Sequence, residues 1–279
     1  MTRIGFMQGR LSPLIDGKIQ AFPWDFWEAE FALAAGIGVG CMEWTLDHER
    51  IFENPLMTAQ GRARIRELSG AHGVEVPSLT GDFCMQAPFW KAGGRERQEL
   101  AGIFEKVLLS CAGMGIKLLV VPLVDNGALD SAGAREVLER QCFAFQPLLR
   151  EHGMRIAFES DLPPVALAAF IDGFPGDLFG INFDIGNSAS LGWDPVEEIP
   201  LLAPRIINVH VKDRVLGGTT VPLGTGAVDL PKVFGLLRDV AYGGNFILQT
   251  ARAADGAHVE TINRYRRFVA EQMGGAHGA

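Results

Sequence analysis

The feature that most constrains this chain is a repeated alternation of short apolar, strand-like runs with longer helical patterns. Eight such units occur within 279 residues, from "RIGFM" (Arg3–Met7) to "NFILQT" and a closing helix over Val259–Met273. The helical patterns have apolar residues spaced about 3.6 apart and several end in glycine motifs such as "HGV" and "HGM". Because a doubly wound sheet seldom carries eight regular units, the sequence predicts a single (β/α)8 TIM barrel.

Composition is typical of a globular protein, with 48% apolar and 21% charged residues. No linker tract or low-complexity run interrupts it, so we expect one domain over residues 1–279, with residues 270–279 as a frayed tail. The longest apolar run, Leu118–Val124, is broken by Pro122 and is too short to span a bilayer. The N-terminus has no apolar core of signal-peptide length, and we therefore predict a cytoplasmic protein without membrane association.

The charge and the cysteines exclude further classes of protein. A net charge of −8 disfavours a nucleic-acid partner, which would require a basic surface facing the phosphates. The four cysteines are widely spaced and form no CxxC pair, so we expect buried, reduced side chains rather than disulfides or a zinc site. The sequence is compatible with a homo-oligomer but does not predict the oligomeric state.

Polar residues stand at the predicted C-terminal ends of the strands, where TIM barrels carry their chemistry. Four successive strands, the fifth to the eighth, end at Glu159, Asp184, His210 and Gln249. Adjacent strands lie about 4.8 Å apart, so these side chains can converge on one cation. Three oxygen donors and an imidazole suit Mn²⁺, Mg²⁺ or Co²⁺ better than a structural zinc. Taken singly, Glu159 also fits a buried partner of a lysine and His210 a hydrogen-bonded core histidine, but their conjunction favours a metal site.

Further polar residues follow the strands and are candidates for contact with a substrate. They are Gln8, Glu43, Asn187, Lys212, Asp213 and Arg214. Glu43 is equally consistent with an ion pair to an arginine, and Lys212 and Arg214 with either a phosphate contact or pairing with Asp213. The segment "PLGTGAVDL" (Pro222–Leu230) precedes a helix and is either a phosphate-receiving loop or an ordinary turn.

The runs "FES", "FDIGN" and "HVKD", in this order and spacing, resemble the xylose-isomerase-like TIM barrels of the sugar-phosphate isomerase/epimerase superfamily. The opening "MQGRLSP" and the later "MEW" are also similar to bacterial members, and the resemblance covers nearly the whole chain. It implies an isomerase or epimerase that acts on a sugar or sugar phosphate through an enediolate. It also implies a divalent ion (Mn, Mg, Co or Zn) held by Glu159, Asp184 and His210.

The chain departs from this family pattern at two positions. The fourth ligand, a glutamate in the family's epimerases, is Gln249, and a histidine often found three residues after the aspartate is Asn187. Those epimerases move a proton between two glutamates on opposite faces of the substrate. Gln249 cannot titrate, although its carbonyl oxygen can still bind a metal.

Three interpretations follow from the missing carboxylate. Glu159 alone serves as the base of a one-base reaction such as aldose–ketose isomerisation, or Glu43 or Asp213 replaces the second glutamate. Alternatively, catalysis is lost and the barrel is a sugar-binding or regulatory protein. A dehydratase of the same superfamily is a further alternative. The related apurinic endonucleases use three zinc ions and many histidines, whereas only one of the six histidines here stands at a strand end.

Overall fold

Eight parallel strands close into a barrel, which confirms the predicted fold. The structure, a computed structural model, describes residues 3–253 and 256–274. The strands are β1 (Ile4–Met7), β2 (Cys41–Thr45), β3 (Glu75–Thr80), β4 (Leu118–Leu123), β5 (Arg155–Ser160), β6 (Phe179–Asp184), β7 (Ile206–Val211), a short antiparallel pair β8 (Asp213–Arg214) and β9 (Thr220–Val221), and β10 (Phe246–Leu248). The order around the barrel is β1-β10-β7-β6-β5-β4-β3-β2, so β10 is the predicted eighth barrel strand.

Helices alternate with the barrel strands. They are α1 (Ala29–Gly36), α2 (Ala59–His72), α3 (Asp82–Gln86), α4 (Gly94–Met114), α5 (Ala132–His152), α6 (Pro164–Asp172), α7 (Ile185–Leu191), α8 (Pro195–Leu202), α9 (Leu230–Asp239) and α10 (His258–Gly274). Thr58 and Ser131 cap α2 and α5 through hydrogen bonds to backbone amides in the first turn. The same helices end at Gly73 and Gly153, whose φ angles of 65° and 58° are readily adopted by glycine.

Apolar packing between strands and helices fixes the position of the site-bearing strands. Phe158 of β5 lies 5.3 Å, between ring centroids, from both Phe170 and Phe174 on the helical side of the barrel. The next residue, Glu159, therefore points to the opposite face, because side chains alternate along a strand. The four cysteines are buried and free, as expected.

Two features of the structure differ from the sequence prediction or extend it. Helix α7 begins directly after β6, because the Asp184 carboxylate accepts a hydrogen bond from the amide of Asn187 and so caps the helix. The predicted frayed tail is partly helical, since α10 continues through residues 270–274, and residues 275–279 lie outside the described part of the chain. Within the described residues, no helix combines the length and the apolar character needed to cross a membrane.

We expect Glu198 to make stability fall as the pH rises. Its side chain is buried in α8 and accepts a hydrogen bond from Ser188 in α7. Burial raises the pKa of Glu198 from 4.5 to about 7, although the Ser188 hydroxyl opposes this. Because the folded state binds the proton more tightly than the unfolded state, the free energy of unfolding falls between pH 4.5 and 7 by up to roughly 3 kcal/mol.

Glu198→Gln tests this expectation because the amide cannot ionise. The variant and the wild type should unfold at similar urea concentrations at pH 4.5, and the variant should be the more stable at pH 8. Other buried carboxyls contribute equally to both proteins and cancel in the difference. A stability difference that does not change between these two pH values would contradict the assignment.

Candidate functional site

Glu159, Asp184 and His210 meet at the C-terminal ends of β5, β6 and β7. Each offers one ligand atom, and these atoms all lie within 4.8 Å of one another. Asp184 and His210 are paired neighbours across β6 and β7, which brings their side chains to the same level of the barrel. All three residues are buried. The convergence expected from the sequence is therefore present for these three side chains.

Two of the converging atoms make no hydrogen bond within residues 3–253 and 256–274. These atoms are Nδ1 of His210 and Oδ2 of Asp184. The first lies 3.0 Å from Oε2 of Glu159 and the second 2.6 Å from Nζ of Lys212, close enough for electrostatic attraction but without hydrogen-bond geometry. Buried polar atoms are normally hydrogen-bonded, so two buried atoms that have charged neighbours but no hydrogen bond fit ligands of a divalent cation bound by two carboxylates and an imidazole.

Glu43 sets the orientation of His210. Its Oε1 atom lies 2.6 Å from Nε2 of His210, and its oxygens also accept hydrogen bonds from Ser78, Thr80 and Asn208. A hydrogen bond from Nε2–H to this carboxylate leaves Nδ1 directed at Glu159. In metal sites a carboxylate commonly holds a ligating histidine in this way.

Two asparagine amides hold the carboxylate of Glu159. Asn182 donates to Oε2 over 2.7 Å, and Asn187 donates to Oε1 over 2.8 Å. Asn208 donates to Asn182 and to Glu43, and so connects the supports of Glu159 and His210. Asn182 and Asn208 lie inside strands, where inward-facing asparagine in an apolar run was the only sequence signal for them.

Opposite charges stabilise each other in this buried cluster. Burial alone would raise the pKa of Glu159, but the close contact and charge of His210, with help from Lys212, lower it to about 2. Burial likewise opposes the charge of His210, but Glu43 and Glu159 raise its pKa to about 10. Burial raises the pKa of Asp184, which Lys212 partly offsets. Glu159 is therefore a carboxylate at neutral pH.

Gln249 follows β10 and contacts Lys212 at the edge of the cluster. Its Oε1 atom accepts a hydrogen bond of 2.9 Å from Nζ of Lys212, the same ammonium group that lies beside Asp184. The carbonyl oxygen of the amide is thus directed towards the cluster but is engaged by a cation of the protein. Lys212 pairs with Asp184 and not with Glu159, so Glu159 is not the simple partner of a barrel lysine.

A cavity of about 640 Å³ opens above the cluster. Its lining includes five residues predicted from the sequence, namely Glu159, Asn187, Lys212, Arg214 and Gln249. It also includes Asp82, two residues after β3, which is not among the site residues predicted from the sequence. A carboxylate two residues beyond a strand end was the available signal, in the run "SLTGDF".

Three other predicted substrate contacts are not among the residues that line this cavity. Gln8 and Glu43 are fully buried, with Glu43 beneath His210 and Gln8 accepting a hydrogen bond from the amide of Thr45. Asp213 is also fully buried and accepts hydrogen bonds from backbone amides of the loop before α9. Their positions are those of supports for the site, because other protein groups enclose them.

A family model described as the xylose isomerase-like TIM barrel matches residues 31–268. The chain belongs to this family. A protein of Escherichia coli (strain K12), described as a candidate L-ribulose-5-phosphate 3-epimerase, is 24% identical to this xylose isomerase-like barrel over 264 residues, which cover 88% of this chain and 91% of the relative. The resemblance in sequence thus extends over nearly the full length of both proteins.

Solved structures agree with the barrel fold of this family. A D-psicose 3-epimerase crystallised in the presence of D-fructose superposes with a TM-score of 0.75 at 15% identity, covering 98% of this chain and 100% of the other. A xylose isomerase domain protein from Planctomyces limnophilus gives a TM-score of 0.74 at 17% identity, covering 97% and 96% of the two chains. At such identities the likeness establishes the fold alone.

Proposed function

We propose that this chain is a divalent-metal-dependent isomerase or epimerase of a sugar, with Glu159 as the base that moves the proton. One observation carries the proposal: the buried atoms of Glu159, Asp184 and His210 converge within 4.8 Å below a cavity of about 640 Å³. The E. coli relative named for epimerisation of ribulose phosphate supports the reaction class. The oxygen and nitrogen donors suit Mn²⁺, Mg²⁺, Co²⁺ or Zn²⁺.

In the proposed reaction, the bound ion and the residues of the chain have different roles. A divalent cation, when bound, stabilises the negative charge that develops on sugar oxygens as a proton leaves the neighbouring carbon. Glu159 is ionised at neutral pH and is held by Asn182 and Asn187, so its carboxylate is positioned to take that proton and to return it. Its low pKa makes it a weak base, which means that the C–H bond must be acidified by nearby positive charge.

The positions of Glu43 and Asp213, the two carboxylates considered as replacements for the missing glutamate, favour a one-base reaction over a two-base reaction. Glu43 is enclosed by its hydrogen-bond partners beneath the site, and Asp213 is engaged by loop amides. Neither is placed to act as the second base in the position of Gln249. Aldose–ketose isomerisation, in which Glu159 moves a proton along one face of the substrate, is therefore the first candidate.

The alternative functions are less well supported by the same observations. A non-catalytic sugar-binding or regulatory barrel would not require two buried ligand atoms without hydrogen bonds. A dehydratase would use the same metal and base but would release water, so product analysis separates it from an isomerase. An endonuclease of this superfamily would require further histidines, yet His210 is the one histidine in the group of potential ligands within the described residues.

Metal analysis followed by a sugar assay tests the proposed function. Protein purified without chelator should contain close to one divalent ion per chain, and His210→Ala should contain almost none. The wild type, supplied with Mn²⁺, should then interconvert an aldose and a ketose in a coupled assay. Equal metal content in the two proteins would contradict the metal site, and bound metal without any interconversion would favour a binding protein.

We expect Gln249→Glu to bind the metal more tightly than the wild type. With His210 neutral, the ligand charge is −2 from Glu159 and Asp184, and the new carboxylate makes it −3. One added negative charge beside the ion should tighten cation binding on the order of tenfold. This figure allows for screening by solvent and for the attraction of Lys212 to the same carboxylate. Titration with Mn²⁺ measures this change.

The same variant should gain proton exchange at C3 of a ketose, because a second titratable group then lies near the substrate. Deuterium uptake at C3, followed by NMR in D₂O, measures that gain. Gln249→Ala serves as the control, since it removes the amide without adding a base. If Gln249→Glu neither binds Mn²⁺ more tightly nor exchanges faster, Gln249 is not directed at the metal.

A further inference from the structure

The guanidinium group of Arg10, at the cavity wall, is already engaged by the protein. It donates to the backbone oxygens of Thr250 and Ile19, both over 2.9 Å, and to the side chain of Gln20 over 2.7 Å. The Arg10 side chain is buried, and its three acceptors fix its orientation. A phosphate group at this point would have to replace hydrogen bonds that hold the loop after β1 to the rest of the barrel.

The other two basic side chains of the cavity are engaged in the same manner. Arg214 donates to the backbone oxygen of Gly218 through Nε and Nη2, and to Asn187 through Nη1 over 2.8 Å. Lys212 lies between the side chains of Asp184 and Gln249. Within the described part of the chain, the cations that line the cavity are thus Arg10, Lys212 and Arg214, and each has protein partners.

The segment Pro222–Leu230, which the sequence offered as a phosphate-receiving loop, has backbone amides that already donate hydrogen bonds to a carboxylate of the protein. The Asp213 carboxylate accepts hydrogen bonds from the backbone amides of Gly224, Gly226 and Val228, over 2.9 to 3.2 Å. The N-terminus of α9 is capped by Asp229, whose side chain accepts from an amide of the first turn. The amides that would receive a phosphate therefore already bind carboxylates of the chain.

Among the described residues, one carboxyl group of the cavity lining is both buried and without a hydrogen bond. Asp82 is only 6% exposed, lines the cavity, and its Oδ2 atom is buried without a hydrogen bond from any residue in 3–253 or 256–274. Asp125 and Asp161 also line the cavity and are exposed. The mouth thus offers carboxyl groups, one of which has a buried oxygen without a hydrogen bond from the described residues, where a phosphorylated substrate would need free cations.

The surroundings of Asp82 favour its neutral form. Burial raises its pKa to about 8, and the negative charges of Asp47 and Glu159 add to this, while Arg10 and His210 oppose it. A neutral carboxyl group donates one hydrogen bond and accepts others, which matches the hydroxyl groups of a sugar. In either protonation state, the group retains an oxygen that can accept a hydrogen bond from a hydroxyl.

We infer that the cavity binds an unphosphorylated sugar and that Asp82 hydrogen-bonds one of its hydroxyl groups. This inference rests on the proposed function and specifies its substrate class. A phosphate ester would place about two negative charges beside the exposed carboxyl groups of Asp125 and Asp161, while the three cations of the cavity already contact protein groups. The hydroxyls of a free sugar cost no such repulsion and satisfy the unpartnered oxygen of Asp82.

Calorimetric binding of non-reacting sugar alcohols to the Mn²⁺-loaded protein tests the inference. The probes are D-glucitol, D-ribitol and their terminal phosphate esters, which lack a carbonyl group and so cannot turn over. At least one free polyol should bind at least tenfold more tightly than its phosphate ester. Asp82→Ala should weaken that polyol about tenfold, and Asp82→Asn, whose amide also donates and accepts, should stay within about threefold of the wild type.

Asp239→Asn is the matched control, because it alters an exposed aspartate at the end of α9, outside the cavity lining, and should leave polyol binding within twofold. Tighter binding of the phosphate esters would overturn the inference and leave the proposed function standing. Unchanged polyol binding in folded Asp82→Ala, checked by circular dichroism, would overturn the role of Asp82. If none of the probes binds and no free or phosphorylated aldose or ketose is converted, both the inference and the proposed function fail.

Discussion

Glu159→Gln should lower turnover by about 10²–10⁴-fold while the protein stays folded, because the amide cannot accept the proton that the carboxylate removes. The substitution keeps the shape of the side chain, so Asn182 and Asn187 retain a neighbour of the same size. Turnover should be measured on the best sugar of the interconversion assay, with circular dichroism as the check on folding.

Glu159 has two proposed roles, as a base and as a metal ligand, and the assay must separate them. Turnover should therefore be compared at saturating Mn²⁺, with the bound metal quantified in each protein. Glu151→Gln, an exposed glutamate at the end of α5, is the matched control and should retain full activity. If Glu159→Gln with bound Mn²⁺ keeps more than a third of wild-type turnover, the base lies elsewhere, and Asp82 is the next candidate because it lines the same cavity.

Glu43→Gln should weaken metal binding by about 10–100-fold, although Glu43 itself is not expected to touch the ion. The carboxylate of Glu43 contacts Nε2 of His210 and stabilises the proton there, which leaves Nδ1 to face the metal. A glutamine can present its NH₂ group to Nε2 instead, which favours the tautomer with the proton on Nδ1. Competition between the protein and a fluorescent chelator for Mn²⁺ or Zn²⁺ measures the change in affinity.

The control for this experiment is a glutamate on the neighbouring strand that is remote from the site. Glu75→Gln alters an exposed side chain at the start of β3, where it pairs with Arg3, and should leave metal affinity unchanged. Thermal unfolding without metal shows whether either variant is damaged as a whole. Equal metal affinity in Glu43→Gln and the wild type would mean that other contacts orient His210.

The reaction class and the substrate class are separate conclusions with separate evidence. The proposed metal site and the proposed base Glu159 favour proton transfer next to a carbonyl, whatever the remainder of the sugar carries. The engaged cations and the unpartnered Asp82 concern the remainder of the sugar, and they favour hydroxyls over phosphate. The proposed function draws on the E. coli relative for the reaction class, whereas the proposed substrate class comes from the cavity of this chain.

The sequence by itself determined the barrel and the main members of the site. The alternation of eight strand and helix patterns requires that each strand be covered by a helix, and the barrel satisfies this for all eight strands. Glu159, Asp184 and His210 could be found because the C-terminal ends of neighbouring strands meet at one rim. The local pattern of apolar and polar residues is sufficient to predict the barrel and these three residues, since it shows where each strand ends and which residues stand there.

Only the tertiary structure decided how the other polar residues are used. Glu43 and His210 are 167 residues apart in the chain, and no local pattern indicates that they touch beneath the site. Asp213 follows the same strand as Lys212 but turns to the loop amides, whereas Lys212 reaches Asp184 and Gln249. Whether a polar group at a strand end serves substrate, metal or protein depends on the partners that the folded barrel brings to it, because a buried polar group is stable only where it is hydrogen-bonded or paired.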